Sequence, residues 1–263
     1  MQVNRVKAAL KSGATVTGPI VNEARSVSIV KLMALAGHDF LFIDMEHAMF
    51  DWETVQNLVQ MALVTDICPL VRVTDLQYAL VARGLDTGAL GIIIPRVEHR
   101  EQVEQAVSYA KYPPIGRRGA GGEGRNGYER LNAREAVETS NAESMVVVQI
   151  ESQEGIDQLD AIATVPSLDV VCVGPQDLSI SLGVPGDFSA PVFVEAIERI
   201  VEICSRHGVA VGMVEREAAQ LERWHQRGCR FLISNTESNM IYQSAARDVE
   251  TVRKFAGPKV AIT

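Results

Sequence analysis

Long apolar runs are missing from this 263-residue chain. None approaches the roughly 18 residues that a membrane-spanning helix needs. The first residues, Met1-Gln2-Val3-Asn4-Arg5-Val6-Lys7, lack the apolar core of a secretory signal. A basic excess is missing too. The formal net charge is −8 and no basic patch stands out, which disfavours nucleic acid and acidic membranes as partners. Cysteine is sparse: Cys68, Cys172, Cys204 and Cys229 are scattered and form no C-x-x-C pair. Cys68 and Cys172 lie in apolar, strand-like runs and read as reduced core residues rather than as disulfide partners or metal ligands. Together these absences describe a soluble, cytoplasmic protein.

Hydrophobic residues make up 47% of the chain, enough for a large core. Length alone suits two small domains or one α/β barrel. The order of elements decides between them. A short amphipathic helix is expected over residues 3–11. Strand-like apolar runs follow at 16–21, 40–48, 69–73, 90–95, 145–150, 168–174, 209–214 and 230–234. Helical patterns separate them, among them 26–36 with Gly37 as its cap, a helix capped by Asp51 that runs to about 62, 101–110, 155–163 and 191–207. A final helix runs through Phe255. An irregular segment occupies 112–127. The strands are continuous apolar runs rather than alternating ones, as parallel strands buried on both faces should be. Eight strand–helix units favour a single closed (β/α)8 TIM barrel over residues 1–263, with an extra N-terminal helix.

In such a barrel, reactive groups belong where strands end on the C-terminal face. Asp44, Glu46 and His47 follow strand 2, Arg72 ends strand 3, Glu151 follows strand 5, and Gly174-Pro175-Gln176-Asp177 follows strand 6. Glu151 and Asp177 come from adjacent strands. Two carboxylates on one rim repel unless a cation lies between them, and an oxygen-only ligand set favours Mg²⁺ or Mn²⁺ over a closed zinc site. The bland alternative is a pair of solvated rim carboxylates. His47 beside Asp44 suggests an imidazole oriented for proton transfer, although a lone histidine is more often structural. Arg72 is the only cation that this layout points into the acidic rim. It suits stabilisation of a developing oxyanion, or a salt bridge that holds the acids apart. None of the lysines ends a strand on this face, which disfavours Schiff-base chemistry. Strands 7 and 8 are not followed by a glycine-rich phosphate cradle, so no phosphorylated substrate is expected. Gly119-Ala120-Gly121-Gly122-Glu123-Gly124 matches G-x-G-x-x-G but follows no strand, so it reads as a mobile loop near the site or at a subunit interface. Arg117 and Arg118 there would bind an anion or merely solvate the loop.

Four blocks, in this order and spacing, resemble the HpcH/HpaI family of class II pyruvate aldolases. They are Phe42-Ile43-Asp44-Met45-Glu46-His47, Tyr112-Pro113-Pro114-Ile115-Gly116-Arg117-Arg118-Gly119, Val148-Gln149-Ile150-Glu151, and Val173-Gly174-Pro175-Gln176-Asp177-Leu178-Ser179. The likeness covers the chain from about Ala9 to the last helix. It implies a barrel of the phosphoenolpyruvate/pyruvate type. It further implies cleavage of 4-hydroxy-2-oxo acids to pyruvate, or a close 2-oxo acid, and an aldehyde through an enolate. Glu151 and Asp177 match the family's metal ligands for Mg²⁺ or Mn²⁺, with Co²⁺ a further candidate and no organic cofactor. His47 matches its acid/base residue and Asp44 the orienting partner. Arg72 matches the arginine that contacts the keto oxygen. Gly174, Pro175 and Gln176 match the turn that receives the substrate carboxylate, and Asp86 an aspartate that reaches a neighbouring subunit's site. The resemblance also implies a hexamer, a trimer of dimers with exchanged last helices. Oxaloacetate decarboxylation would use the same enolate. A CoA-ester lyase would need a basic surface that the sequence does not display, and a catalytically idle barrel is the alternative of a different class. The ends of strands 7 and 8, Met213-Val214-Glu215-Arg216 and Ser234-Asn235-Thr236-Glu237, depart from the family pattern and leave the aldehyde partner open.

Overall fold

Eight parallel strands pair in sequence order, β1 to β8, and β8 returns to β1, so the sheet is a closed barrel. The strands are β1 Val16–Val21, β2 Phe40–Asp44, β3 Cys68–Arg72, β4 Gly91–Ile94, β5 Met145–Ile150, β6 Val170–Val173, β7 Ala210–Glu215 and β8 Phe231–Thr236. This computed structural model describes residues 3–124, 128, 130, 132–257 and 259. Among the described residues no helix is long and apolar enough to cross a membrane.

Every residue of β2 to β6 is buried, because helices cover the outside while side chains fill the inside. Within the barrel, Phe40 and Phe231 stack with ring centroids 4.2 Å apart. The stack demands a thin neighbour: a Cβ on Gly18 would collide with the Phe40 carbonyl oxygen and ring. Each fully buried Val, Ile, Leu or Phe of this kind contributes roughly 1.5–3 kcal/mol.

The expected elements recur with small shifts at their ends. Helix α1, Arg5–Lys11, is capped by Asn4, whose Oδ1 accepts the Lys7 N–H at 3.0 Å. The Asn4 Nδ2 donates to the Leu90 and Glu143 carbonyls, which ties α1 to the N-terminal end of the barrel. Helix α2 is Ser28–Leu35. Helix α3, Trp52–Leu63, is capped by Asp51 as its sequence indicates. Then come α4 Tyr78–Asp86 and α5 Arg100–Ala110.

Three differences have local causes. Helix α6, Ala133–Glu143, was not expected, because its weakly apolar sequence carries little periodic signal. Its cap is nevertheless visible: Asn132 precedes Glu135 by three residues, and the Asn132 side chain accepts the Glu135 N–H. The single helix expected at 155–163 is two short ones, α7 Gln153–Asp157 and α8 Leu159–Ala163, broken at Gln158. A further helix, α9 Pro175–Ser181, starts directly at the end of β6, with Pro175 in its first turn.

The last three helices are α10 Pro191–Arg206, α11 Ala218–Gln226 and α12 Glu237–Ala256. Helix α12 is exposed along almost its whole length, including Ile241, Tyr242, Val249, Val252 and Phe255. Its first residue is the exception. The carboxylate of Glu237 is fully buried and accepts the backbone N–H groups of Asn22, Glu23 and Ala24, which pins the loop after β1 to the start of α12. Glu237, expected among the residues bearing on the aldehyde partner, is therefore part of the scaffold.

Candidate active site at the C-terminal rim

The C-terminal ends of the strands enclose a cavity of about 260 Å³. His47, Arg72, Glu151, Gly174, Pro175, Gln176 and Asp177 all line it, so the fold unites residues spread over most of the chain. Asp44 lies immediately behind Arg72, and Asp86 stands apart.

Strand register sets the first relationship. Asp44 and Arg72 are register partners on β2 and β3. The Arg72 Nε donates to Asp44 Oδ1 at 2.9 Å and its Nη2 to Oδ2 at 2.7 Å, a bidentate pair. Arg72 Nη1 donates to Gln149 Oε1 at 3.2 Å and lies 3.0 Å from Glu46 Oε2. The guanidinium also sits over the Phe42 ring at 5.1 Å. These partners hold the one buried arginine of the cavity wall in a single orientation.

Asp44 was expected to steer the imidazole of His47. It does not touch the ring. Its Oδ1 accepts the backbone N–H groups of Glu46 and His47 at 2.9 and 3.4 Å, so it shapes the turn that carries the histidine. The ring itself is 68% exposed and faces Glu46, with Nε2 3.9 Å from Oε2. Glu46, of open role in the sequence, balances charge: it pairs with both Arg72 and Arg96.

Arg96 is a group that sequence reasoning missed, and it corrects the reading of Arg72 as the only cation at the rim. It lies two residues beyond β4, so the strand-end rule already pointed to it. Its φ of 53° is unusual for a side-chain-bearing residue. In that conformation its backbone N–H donates to Glu151 Oε1 at 2.9 Å. Gln149, inside β5, was likewise quoted in the sequence without a role.

Glu151 is nearly buried, and Gly174 packs against it so closely that a Cβ there would strike Glu151 Oε2. Burial, and then the negative charge of Asp177, raise the Glu151 carboxyl above the ordinary glutamate value. Asp177 lies in the first turn of α9 and is exposed to the cavity. Asp44 and Glu46 are matched by Arg72 and Arg96, whereas Glu151 and Asp177 have no such ion pair among the described residues. The rim therefore carries two carboxylates without an ion pair among the described residues, and Arg72 and Arg96 offset the Glu151 charge only in part, through space. Among the described residues no group of three or more His, Cys, Asp and Glu side chains converges on one point. A carboxylate pair that leaves most positions to water and substrate suits Mg²⁺ or Mn²⁺.

Asp86 ends α4 and pairs with Arg118 Nη2 at 2.7 Å. Arg118 is buried, 4.9 Å from the Tyr112 ring, while Arg117 lies over Tyr109. Arg118 is thus already engaged by Asp86, whereas Arg117 stays exposed beside its ring. The glycine-rich stretch packs on the end of α4, with Gly122 beside Asp86, and none of residues 112–124 lines the cavity. The remainder of that loop, Arg125, Asn126 and Gly127, lies outside the described residues.

Eight parallel strands that close beneath a charged rim make this chain a (β/α)8-barrel protein with an enzyme-type site. It belongs to the HpcH/HpaI aldolase/citrate lyase family, whose model matches residues 22–241. It is 32% identical to the 5-keto-4-deoxy-D-glucarate aldolase of Shigella sonnei over 95% of this chain and 97% of that protein. The solved HpcH/HpaI aldolase from Desulfitobacterium hafniense superposes with a TM-score of 0.92 at 32% identity, covering 97% of this chain and 99% of the other. The citrate synthase SbnG superposes with a TM-score of 0.85 at 31% identity, covering 96% and 99%.

Proposed function

We propose that this chain is a class II aldolase, a carbon–carbon lyase that interconverts a 4-hydroxy-2-oxo acid with pyruvate, or a close analogue, and an aldehyde. The observation that carries the reading is the pair Glu151 and Asp177, which face one cavity and form no ion pair with a cation among the described residues. The aldolase names of the relatives support the same chemistry.

A divalent metal, Mg²⁺ or Mn²⁺, held by Glu151 and Asp177 would polarise the oxo group and acidify the adjacent carbon. Arg72, held by Asp44, Glu46 and Gln149, offers fixed positive charge to the keto oxygen as negative charge grows there. The turn Gly174-Pro175-Gln176 at the end of β6 receives the substrate carboxylate, with the Gln176 N–H as its backbone donor, because Pro175 has no N–H and the Gly174 N–H donates to the Ile150 carbonyl. His47 Nε2 takes the proton of the C4 hydroxyl. The C3–C4 bond then breaks, the aldehyde leaves, and the electron pair stays on the oxo-acid fragment, which is protonated at C3 to give pyruvate. Asp44 acts on both Arg72 and the turn before His47, so it is a positioning residue.

Two further parts of the reading have separate support. The chain works as a homo-oligomer, a hexamer built from dimers that exchange α12, and the bare apolar side chains of that helix support a second copy as its cover. Asp86 lies outside its own cavity, paired with Arg118 and partly exposed, a position that supports service to a neighbouring one. Four buried free thiols suit a reducing, cytoplasmic setting.

Incubation with a racemic 4-hydroxy-2-oxo acid and, separately, with oxaloacetate tests the reading. Pyruvate and aldehyde should appear in equal amounts from the first, should stop on chelation of divalent metal, and should fall roughly 100-fold or more in His47→Asn. Turnover of oxaloacetate alone, or full aldolase activity in chelator, would contradict it.

A further inference from the structure

Arg96 touches the ends of four successive strands. It lies two residues beyond β4 itself. Its Nη2 donates to the carbonyl of Thr74, two residues beyond β3, at 2.9 Å. Its Nη1 pairs with Glu46, two residues beyond β2. Its backbone N–H donates to Glu151, the residue after β5, at 2.9 Å. The N–H of Val97 adds a bond to the Gln149 carbonyl at 3.0 Å. These contacts hold Arg96 at its φ of 53°. Its guanidinium is 54% exposed, but the Glu46 carboxylate that it meets is only 7% exposed. Neither residue lines the cavity, so their influence on a substrate has to pass through a neighbour. That neighbour is Arg72. Two carboxylates converge on its guanidinium, Asp44 in a bidentate pair and Glu46 at 3.0 Å from Nη1. Two negative charges on one cation leave a net negative group, which in a buried setting opposes the growth of charge on an adjacent oxygen. Arg96 supplies the second cation, and the four groups balance.

We propose that Arg96 is a positioning residue of this site: its guanidinium takes up the charge of Glu46, so that Arg72 stays an effective cation for the oxo-acid half of the substrate. The assignment rests on the aldolase reading above and adds to it a residue that has no part in that mechanism. Arg96 serves the rim in two separable ways. Its backbone N–H supports Glu151 whatever side chain the residue carries, and its guanidinium supports Arg72 by way of Glu46. Substitution at this position removes the second and keeps the first. A purely mechanical clasp through Thr74 would be indifferent to the charge on Glu46. A charge-balancing role is not, and once Glu46 is neutral Arg72 has only Asp44 to satisfy and no longer needs Arg96.

The test follows exchange of the pyruvate methyl protons with D2O, in the presence of Mn²⁺, for wild type, Arg96→Gln, Arg96→Lys and the double variant Glu46→Gln/Arg96→Gln. Each exchange removes a methyl proton, lets negative charge grow at the keto oxygen beside Arg72, and returns a deuteron from solvent. Arg96→Gln should lower kcat for exchange roughly 5- to 20-fold, less than the roughly 100-fold or more for loss of a donor in direct contact with the oxyanion, and should raise the pyruvate KM by a smaller factor. Arg96→Lys keeps the charge without the fork and should recover most of the rate. The double variant should return to within about three-fold of wild type. Mn²⁺ affinity of Arg96→Gln, read by titration calorimetry, should stay within about three-fold, because the backbone N–H to Glu151 remains. Wild-type exchange in Arg96→Gln, a loss that Glu46→Gln does not relieve, or a collapse of Mn²⁺ affinity would overturn the role of Arg96 alone. Absence of methyl exchange and of aldol product in the wild type would overturn the aldolase reading and this assignment with it.

Discussion

Asp44 and Arg72 sit opposite one another in the β2–β3 register and close a two-pronged ion pair, with Nε–Oδ1 at 2.9 Å and Nη2–Oδ2 at 2.7 Å. Their side chains are only 4% and 9% exposed. A buried guanidinium that loses its two-pronged carboxylate keeps its desolvation penalty with only Glu46 and Gln149, both at Nη1, to offset it. Asp44→Ala is therefore expected to destabilise the fold by about 3–5 kcal/mol, whereas Asp44→Asn, which retains hydrogen-bond acceptance, is expected to lose less. Urea denaturation followed by circular dichroism measures both. Equal stability of wild type and Asp44→Ala would show that the pair does not anchor the rim.

Glu151 predicts a pH dependence with an unusual sign. Its folded pKa lies above the ordinary value of 4.5 because of burial and the neighbouring Asp177 charge. Between 4.5 and that raised value the folded chain holds more protons than the unfolded one, so stability falls as pH rises through the window. Below the window the penalty is absent, and above it the penalty is complete. Glu151→Gln carries no such charge. The metal-free wild type should therefore lose stability relative to Glu151→Gln as pH climbs from about 4 to neutrality. Saturating Mn²⁺ should reverse the order at neutral pH by raising the Tm of the wild type alone. Thermal unfolding at several pH values, with and without metal, reads both effects.

Gly174 is required by space rather than by backbone conformation. Gly174→Ala would push a methyl group into Glu151 Oε2. A cost of roughly 1–3 kcal/mol in stability is expected from such crowding. Metal affinity, read by titration calorimetry, should fall as the carboxylate is displaced. Unchanged affinity would mean that Glu151 moves aside without consequence and is not a ligand.

Glu237 is expected to matter for the fold and not for the choice of aldehyde. Its buried carboxylate serves three consecutive backbone N–H groups of the loop after β1. Glu237→Ala strands those donors and should cost roughly 2–4 kcal/mol. The ratio of kcat/KM values for acidic and neutral aldehydes should not move. A change of that ratio without a change in stability would place Glu237 in the cavity wall.

The barrel was legible because its strands are unbroken apolar runs, and β5 begins and ends where its run of Met, Val, Gln and Ile does. The rim was legible because strand ends are the natural positions for Glu151, Arg72 and Asp177 once the barrel is granted. Pair identities were not. Asp44 is three residues from His47, yet its carboxylate belongs to Arg72, 28 residues away, because strand register outranks proximity along the chain. The position of Arg96 just past β4 was open to the strand-end rule, but its backbone N–H to Glu151 was not, because no side-chain inventory reveals a backbone donor. Helix α6 was hidden for a different reason: its outward-facing sequence has few apolar positions to repeat.

The central claim is that Glu151 and Asp177 jointly hold a divalent metal for 2-oxo acid chemistry. A crystal soaked with Mn²⁺ and pyruvate, measured at the manganese edge, tests it most directly. An anomalous peak between the two carboxylates, with pyruvate in contact with it and the peak lost in Glu151→Gln, is the predicted result. Pyruvate seated in the cavity with manganese bound elsewhere, or a peak that persists unchanged in Glu151→Gln, would contradict it.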